Sequence, residues 1–551
     1  MKKRIQGLSL LILCVFMISL TTGCSLFGNE FDYVEDAGQI TITAYNGKAA
    51  EVTIPAKISG KSVTAIGEKA FYECSGLESI TIPEGVTSIG DEAFLECRSL
   101  VSVTMPDSVT SIGQYAFRQC MSLTGIRLSE NLTSIGRSAF LDCIVLTDIT
   151  LPDSLATIGD YAFLACEKLA GITIPANVTS IGYRAFSGCP ISEIQVSPEN
   201  QNYASESGIL YNKDKTRLVF CPKGKSGAIV LPGKVTSIGD EAFAGCNSLS
   251  SITMPEGLLS IGSGAFRYCK YLDGIAIPDS VTSIGENAFD GCRNLMSITI
   301  PGKVSSVGAQ AFIWCEKLTE INVSPDNPTF TSEAGILYNK DRTLLIACPA
   351  GKSVPVEIPG TVTAIGNFAF FDCAFLTDIT LPEGVTTIGM QAFYKCELLD
   401  RIMLPDSLLR IDDRAFLECK ELSDISIPSN VTFIAKSAFL ACEEMININV
   451  SSENSNYASD AGILYNKEMT VLIVCPAGKY ESVEIPNTVT SIEEKAFSGC
   501  KLLKKVNIPD SVTSIGKDTF EDCYDLVIQC GEGSAAQSYA KENEIGYKII
   551  D

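Results

Sequence analysis

Apolar residues return along this chain at fixed offsets. In Leu77-Glu-Ser-Ile-Thr-Ile-Pro-Glu-Gly-Val-Thr-Ser-Ile-Gly-Asp-Glu-Ala-Phe-Leu-Glu-Cys97 the inward positions read off the spacing are Leu77, Ile80 and Ile82, then Val86 and Ile89, then Ala93, Phe94 and Cys97. Thr81, between two isoleucines, points outward. That alternation predicts a short strand. Pro83 has no N–H and ends it. The next run, Val86 to Ile89, supplies a second inward pair, and Gly90 marks a tight bend. Asp91 to Cys97 is expected to form one helical turn, with its acidic residues near the N-terminal amides.

The same sentence is written sixteen times at an interval of 23 residues. Cysteines serve as the ruler: Cys74 to Cys189, Cys246 to Cys315, Cys373 to Cys442, then Cys500 and Cys523. Phenylalanine holds the Phe94 position in every copy, from Phe71 to Phe520, and is expected to form a stacked spine. Glycine holds the bend in thirteen copies; Asp412, Ala435 and Glu493 are the exceptions, which argues for a preferred turn shape or close chain approach and not for an absolute need of positive φ. A repeat of this length predicts a solenoid in which each unit packs on its neighbours, so 551 residues need not divide into separate cores.

A longer period overlies the first. Gly208–Pro222, Gly335–Pro349 and Gly462–Pro476 are near copies set 127 residues apart, within inserts near 197–232, 324–359 and 451–486. Each reads as a β-hairpin, with arms such as Ile209-Leu-Tyr211 and Leu218-Val-Phe220 around a polar turn. Tyr211, Asn212 and Lys213, with Tyr338, Asn339, Lys340 and Tyr465, Asn466, Lys467, are the candidate binding residues on these hairpins. The turns carry too few carboxylates to hold calcium.

The ends differ from the repeat. Residues 1–23 have a basic start, an apolar run from Leu8 to Leu20, and small residues before Cys24, the pattern of an export signal. Thr22-Gly23-Cys24 resembles a bacterial lipobox, with cleavage between Gly23 and Cys24 and lipid attachment at Cys24; Thr21 stands where such signals usually carry leucine. Residues 24–30 form a short tether and 31–61 an N-terminal cap, with strand-like runs Gln39–Thr43 and Glu51–Pro55. The solenoid occupies 62–530. A C-terminal cap at 531–551 is expected to contain a helix with Ser534 as N-cap and a closing strand over Gly546–Ile550.

Composition narrows the function. The formal charge is −23, and loss of Lys2, Lys3 and Arg4 with the signal makes it −26, which disfavours nucleic acid and anionic lipid surfaces. There is no histidine, the commonest general base and metal ligand. Each repeat supplies one cysteine, not the close pair a zinc site needs, so the ladder reads as buried thiols or, in part, as disulfides between coils. Paired carboxylates such as Asp91-Glu92 and Asp240-Glu241 recur at one repeat position and are structural. No catalytic residues, metal site or cofactor site are expected. Cys348-Pro-Ala-Gly-Lys-Ser353 approaches a phosphate-loop pattern but reads as a hairpin-exit turn.

Taken together, Ile-Thr-Ile-Pro, Val-Thr-Ser-Ile-Gly, Ala-Phe and Cys-x-x-Leu in fixed register, with the Gly-Ile-Leu-Tyr-Asn-Lys hairpins and the Ala-x-x-Tyr-Ala-Lys-Glu-Asn end, resemble the BspA-like class of leucine-rich repeats. The resemblance runs from about residue 31 to the C-terminus. It implies an α/β repeat solenoid of the leucine-rich-repeat type, a curved β-solenoid with short helical turns and inserted β-hairpins. It also implies a bacterial surface protein, not an enzyme. The function expected is binding of a host or microbial surface protein or glycan, with the membrane reached only through a lipid anchor; the alternative is a structural envelope spacer with no specific ligand. A binding face is expected where departures from the repeat gather: Arg127 beside Met121, and Asp412 and Arg414 near Arg401, with Met403 close by.

Overall fold

The structure, a computed structural model, describes residues 30–353 and 355–550. The expected signal, the Gly23/Cys24 cleavage site and the lipid-attachment residue lie outside the described residues. Two compact units are formed: residues up to Ala170 with Pro175–Cys189, and Gly171–Ile174 with Pro190 onward.

In the first unit, β1 (Phe31–Asp36) and β2 (Gln39–Tyr45) pair antiparallel, and β2 pairs parallel with β5 (Lys61–Ile66), which also takes β4 (Lys57–Ile58). Another strand, β3 (Glu51–Thr53), instead pairs with β6 (Ser79–Thr81), the first Ile-Thr-Ile strand. From β7 (Ser88–Ile89) onward the chain pairs with itself one repeat later, Ser88 with Ser111 and Ile89 with Ile112. A stack of coils results, one sheet carrying the Ser-Ile segments and the others the Ile-Thr-Ile segments. Inside, the phenylalanine rings lie nearly parallel at 5.0 to 5.8 Å from Phe71 to Phe186. Those separations exceed van der Waals contact of about 3.5–4.0 Å, so the rings are offset, the arrangement their quadrupoles favour.

The second unit repeats this construction around three inserts. Each insert is a three-stranded antiparallel meander, for example Tyr203–Glu206, Ile209–Asn212 and Arg217–Phe220. Its last strand then pairs parallel with the next coil, Leu218 opposite Ile238. The two hairpin arms are those expected; the first strand, Tyr-Ala-Ser-Glu, had no apolar signal. The chain ends with α1 (Ala535–Glu542), whose N-cap Ser534 accepts from the Gln537 N–H, and with Gly546–Ile549 paired to Val527–Cys530.

The segment after the bend is not helical. Glu92 and Glu96 are left-handed, at φ 56° and 61°, and equivalents recur from Lys69 to Asp522. A helix would spend its amides on itself. Here alternate N–H groups leave the coil: Glu92 to the Gln114 carbonyl at 2.7 Å, Phe94 to Ala116 at 2.7 Å, Glu96 to Arg118 at 2.9 Å. This segment is thus a further ladder between coils, built at the cost of left-handed residues that L-amino acids normally avoid. Cysteine joins it. The Cys97 thiol donates to the Phe71 carbonyl at 3.0 Å, and Cys120, Cys143, Cys269 and Cys396 repeat the contact one coil on.

Close approach accounts for the bend glycine. A Cβ on Gly90 would lie 2.7 Å from the Gly67 carbonyl carbon and 2.9 Å from the Ile66 oxygen, and Gly90 is not at positive φ. Backbone cannot yield as a flexible side chain would.

Candidate functional site

The hairpin residues singled out from the sequence serve the fold. Tyr211, Tyr338 and Tyr465 are buried in the core, so they present no binding surface. Asn339 accepts from the Thr343 and Leu344 amides at 2.9 and 2.8 Å and donates to the Thr343 hydroxyl; Asn466 does the same with Thr470 and Val471. Likewise Asn212 accepts from the Arg217 N–H and donates to Thr216. Lys213, Lys340 and Lys467 reach back to the carbonyls of Asn200, Asn327 and Asn454. Hairpin tips read as contact residues because Asn-Lys-Asp is turn chemistry; the same chemistry is consumed in closing the turn. The loop at Cys348–Ser353 is a hairpin exit: Gly351 N–H donates to the Leu318 carbonyl and Lys352 Nζ to that of Ala334.

The departures from the repeat do not form one site. Arg401 and Met403 belong to the strand Arg401–Met403, which pairs with Asp378–Thr380, whereas Asp412 follows Arg410–Ile411 in another sheet. Arg127 is engaged by Asp107 at 3.2 Å and Glu130 at 3.6 Å.

What the structure does gather is a groove of about 670 Å³ in the second unit, lined among others by Met390, Arg410, Asp412, Phe433, Ala435 and Lys436. The outward position of the Ser-Ile strand is serine, threonine or alanine in the other copies, but Arg410 and Phe433 in these two. They sit opposite each other in register, with the Arg410 guanidinium 4.0 Å from the centre of the Phe433 ring. Both coils also lack the bend glycine. Asp412 and Ala435 carry a Cβ where a regular coil has no room for one, as at Gly389, where an added Cβ would stand 2.7 Å from the Asn367 nitrogen. The groove opens at this interruption.

Its apolar lining includes Met390 and Phe433, 38 % and 39 % exposed, with Ile434 and Leu440. Its rim is charged and internally matched. Arg410 pairs with Asp412, Lys436 Nζ meets Glu493 at 2.5 Å, and the Ser437 hydroxyl donates to Asp413. The glycine exceptions Asp412, Ala435 and Glu493 were visible in the sequence. The missing step was to overlay that column on the outward strand column, where Arg410 and Phe433 stand out.

All twenty described cysteines are free, and burial pushes up the thiols of Cys97, Cys120, Cys143 and Cys442, among others, the last to about 12. Such thiols are not activated. Among the described residues no group of three or more Cys, Asp or Glu side chains is placed to hold a metal ion, and no helix is long and apolar enough to cross a membrane.

The profile of the family described as "BspA type Leucine rich repeat region" matches this chain over residues 44–169, 87–216, 216–335, 352–462 and 476–530. No curated protein matches it. Similar solved structures include a leucine rich cell surface protein from Faecalibacterium prausnitzii A2-165, 24 % identical, covering 94 % of this chain and 97 % of that one with a TM-score of 0.34. A leucine-rich repeat protein from Eubacterium ventriosum ATCC 27560 is 25 % identical over 79 % of this chain and 98 % of its own, with a TM-score of 0.39. Another from Bacteroides ovatus ATCC 8483 is 21 % identical over 95 % and 99 %, with a TM-score of 0.32.

Proposed function

The chain belongs to the BspA-type leucine-rich repeat family, and on that premise we propose that it is a bacterial cell-surface interaction protein that binds a host or microbial surface protein or glycan through the groove at Arg410 and Phe433. The observation that carries the reading is the coincidence of four departures, Arg410, Asp412, Phe433 and Ala435, in two adjacent coils around one groove. A repeat protein keeps a coil regular unless something other than stacking acts on it. An exposed aromatic beside an arginine is the side-chain chemistry that dominates protein interfaces. The family and the solenoid fold are typically non-enzymatic, and typically extracellular or exposed at the surface.

Export and lipid anchoring through Cys24 complete the proposal; their support is the sequence pattern of residues 1–24. Replacing Cys24 by Ala should release the protein from the membrane fraction, and unchanged fractionation would remove the anchor from the proposal. For binding, the full chain is screened against arrays of matrix proteins, bacterial surface proteins and glycans. R410S and F433S, which restore the serine that most other coils carry at this position, should abolish a saturable interaction without lowering Tm. Absence of any saturable partner would favour an envelope spacer, and a partner indifferent to both substitutions would remove the groove from the proposal.

A further inference from the structure

A second patch of unusual composition lies in the first unit, on the face that follows the bend. Over four coils the two positions after the bend read Gln114-Tyr115, Arg137-Ser138, Asp160-Tyr161 and Tyr183-Arg184, and no other coil places tyrosine there. Backbone bonds hold these segments side by side, from Tyr115 N–H to the Arg137 carbonyl and from Tyr161 N–H to the Tyr183 carbonyl, both 2.8 Å. The side chains then interleave. Arg118 lies 5.7 Å from the Tyr115 ring centre, Arg137 5.5 Å from that of Tyr161, and Arg184 5.5 Å from that of Tyr183. Tyr161 and Tyr183 meet edge to face at 5.6 Å.

The arginines of this ridge are not all spent on the fold. Arg98 and Arg127 in neighbouring coils are held by carboxylates at 2.8 and 3.2 Å. Arg118 and Arg137 have no carboxylate within ion-pair distance among the described residues, and the Arg118 Nε is buried with no hydrogen-bond partner. In a chain of net charge −23, two arginines left with only a tyrosine face are an unusual expense.

We propose that this ridge binds an anionic polysaccharide, one carrying sulfate or carboxylate groups on its sugar rings. A planar guanidinium fork matches such oxyanions in two-point contact, and an arginine without an internal ion pair meets them without first breaking one. Tyrosine offers a flat apolar face at low entropic cost, which suits the C–H face of a pyranose. The groups recur coil by coil in a row of about 4.8 Å rise, so they suit a linear polymer better than a small molecule, which would need enclosure. The acidic remainder of the surface repels a polyanion and confines it to the ridge. The ridge is separate from the groove at Phe433, and the two proposals stand or fall apart.

The test uses the full chain and immobilised dextran sulfate, polygalacturonate, neutral dextran and poly-glutamate. Saturable binding to dextran sulfate or polygalacturonate is expected, and which of the two binds separates sulfate from carboxylate recognition. Affinity should fall with salt at a log–log slope of about −1 to −2. R118Q/R137Q should weaken binding about tenfold or more and flatten that slope; R118K/R137K should recover only part, because lysine keeps the charge without the fork. Y183S, at a site 43 % exposed, should weaken polysaccharide binding with Tm unchanged, which keeps the test valid if the arginine variants fold poorly. F433S should leave this binding intact. The proposal is overturned if neither polyanion binds, if neutral dextran or poly-glutamate binds as tightly, or if the ridge variants match wild type.

Discussion

Replacing Phe289 by Ala removes one ring from the middle of a stack. The residue is fully buried, and its ring lies 5.4 Å from Phe266 and 5.9 Å from Phe312 at interplanar angles of 7° and 9°. An aromatic side chain buries about 150–250 Å², and at about 25 cal/mol per Å² its transfer contributes about 4–6 kcal/mol. The methyl group of alanine retains a part of this, and the cavity left behind adds to the loss. An expected destabilisation of about 3–5 kcal/mol follows, in line with buried Phe-to-Ala substitutions generally. In a stack whose units touch only their neighbours, the damage should be local. Denaturant unfolding followed by far-UV circular dichroism measures the total, and hydrogen exchange locates it. Amides of the coils from Phe266 to Phe312 should lose protection, while those around Phe497 keep theirs. A loss below about 1 kcal/mol, or protection lost equally at Phe289 and Phe497, would refute the stacked-spine argument.

Other consequences are as specific. Gly136→Ala places a Cβ 2.6 Å from the Gly113 oxygen and should cost about 1–3 kcal/mol in a thermal melt, whereas Ala435→Gly at the same repeat position should leave Tm nearly unchanged. Asn327 is buried, donates to the Pro301 and Val304 carbonyls and accepts from the Thr329 and Phe330 amides, all within 2.9 Å; Asn327→Ala strands these groups and should cost about 2–4 kcal/mol by denaturant titration. Asp372 is raised from its ordinary 3.8 to about 6, chiefly by burial, with Glu316 and Glu397 adding to the shift and Lys395 and Arg293 opposing it. The folded state therefore holds this proton more tightly than the unfolded chain, so stability should fall as pH rises from about 4 to about 6 and level off above. D372N should lack that decline, and an identical pH profile for the two proteins would contradict the burial argument.

Much of the architecture was legible because it is written in columns. Sixteen phenylalanines at one position, alternating isoleucines, and apolar hairpin arms each carry a period the chain must satisfy in space. The segment after the bend was misread because Asp-Glu-Ala-Phe-Leu-Glu has good local helix propensity; bonding between coils overrides it, since each coil must hand amides such as Phe94 N–H to its neighbour. Threonine shows the same competition. Thr87, Thr110 and Thr133 donate their hydroxyls to the carbonyl one coil back, so these side chains too bond between coils. The candidate site was half legible. Single columns revealed Asp412 and Ala435, but the groove exists only where the bend column and the strand column fail together, and that requires knowing that Arg410 faces Phe433.

The seam that follows each insert has one further consequence. Leu218 stands opposite Ile238, Leu345 opposite Ile365, and Leu472 opposite Ile492, in the same register each time. The three junctions are therefore interchangeable, and the blocks between them are 127 residues long. A gene misaligned with its own copy by one block would encode a chain shorter or longer by that block, with every seam still matched. Length is thus a property that this architecture can change in steps of one block while every seam keeps its register.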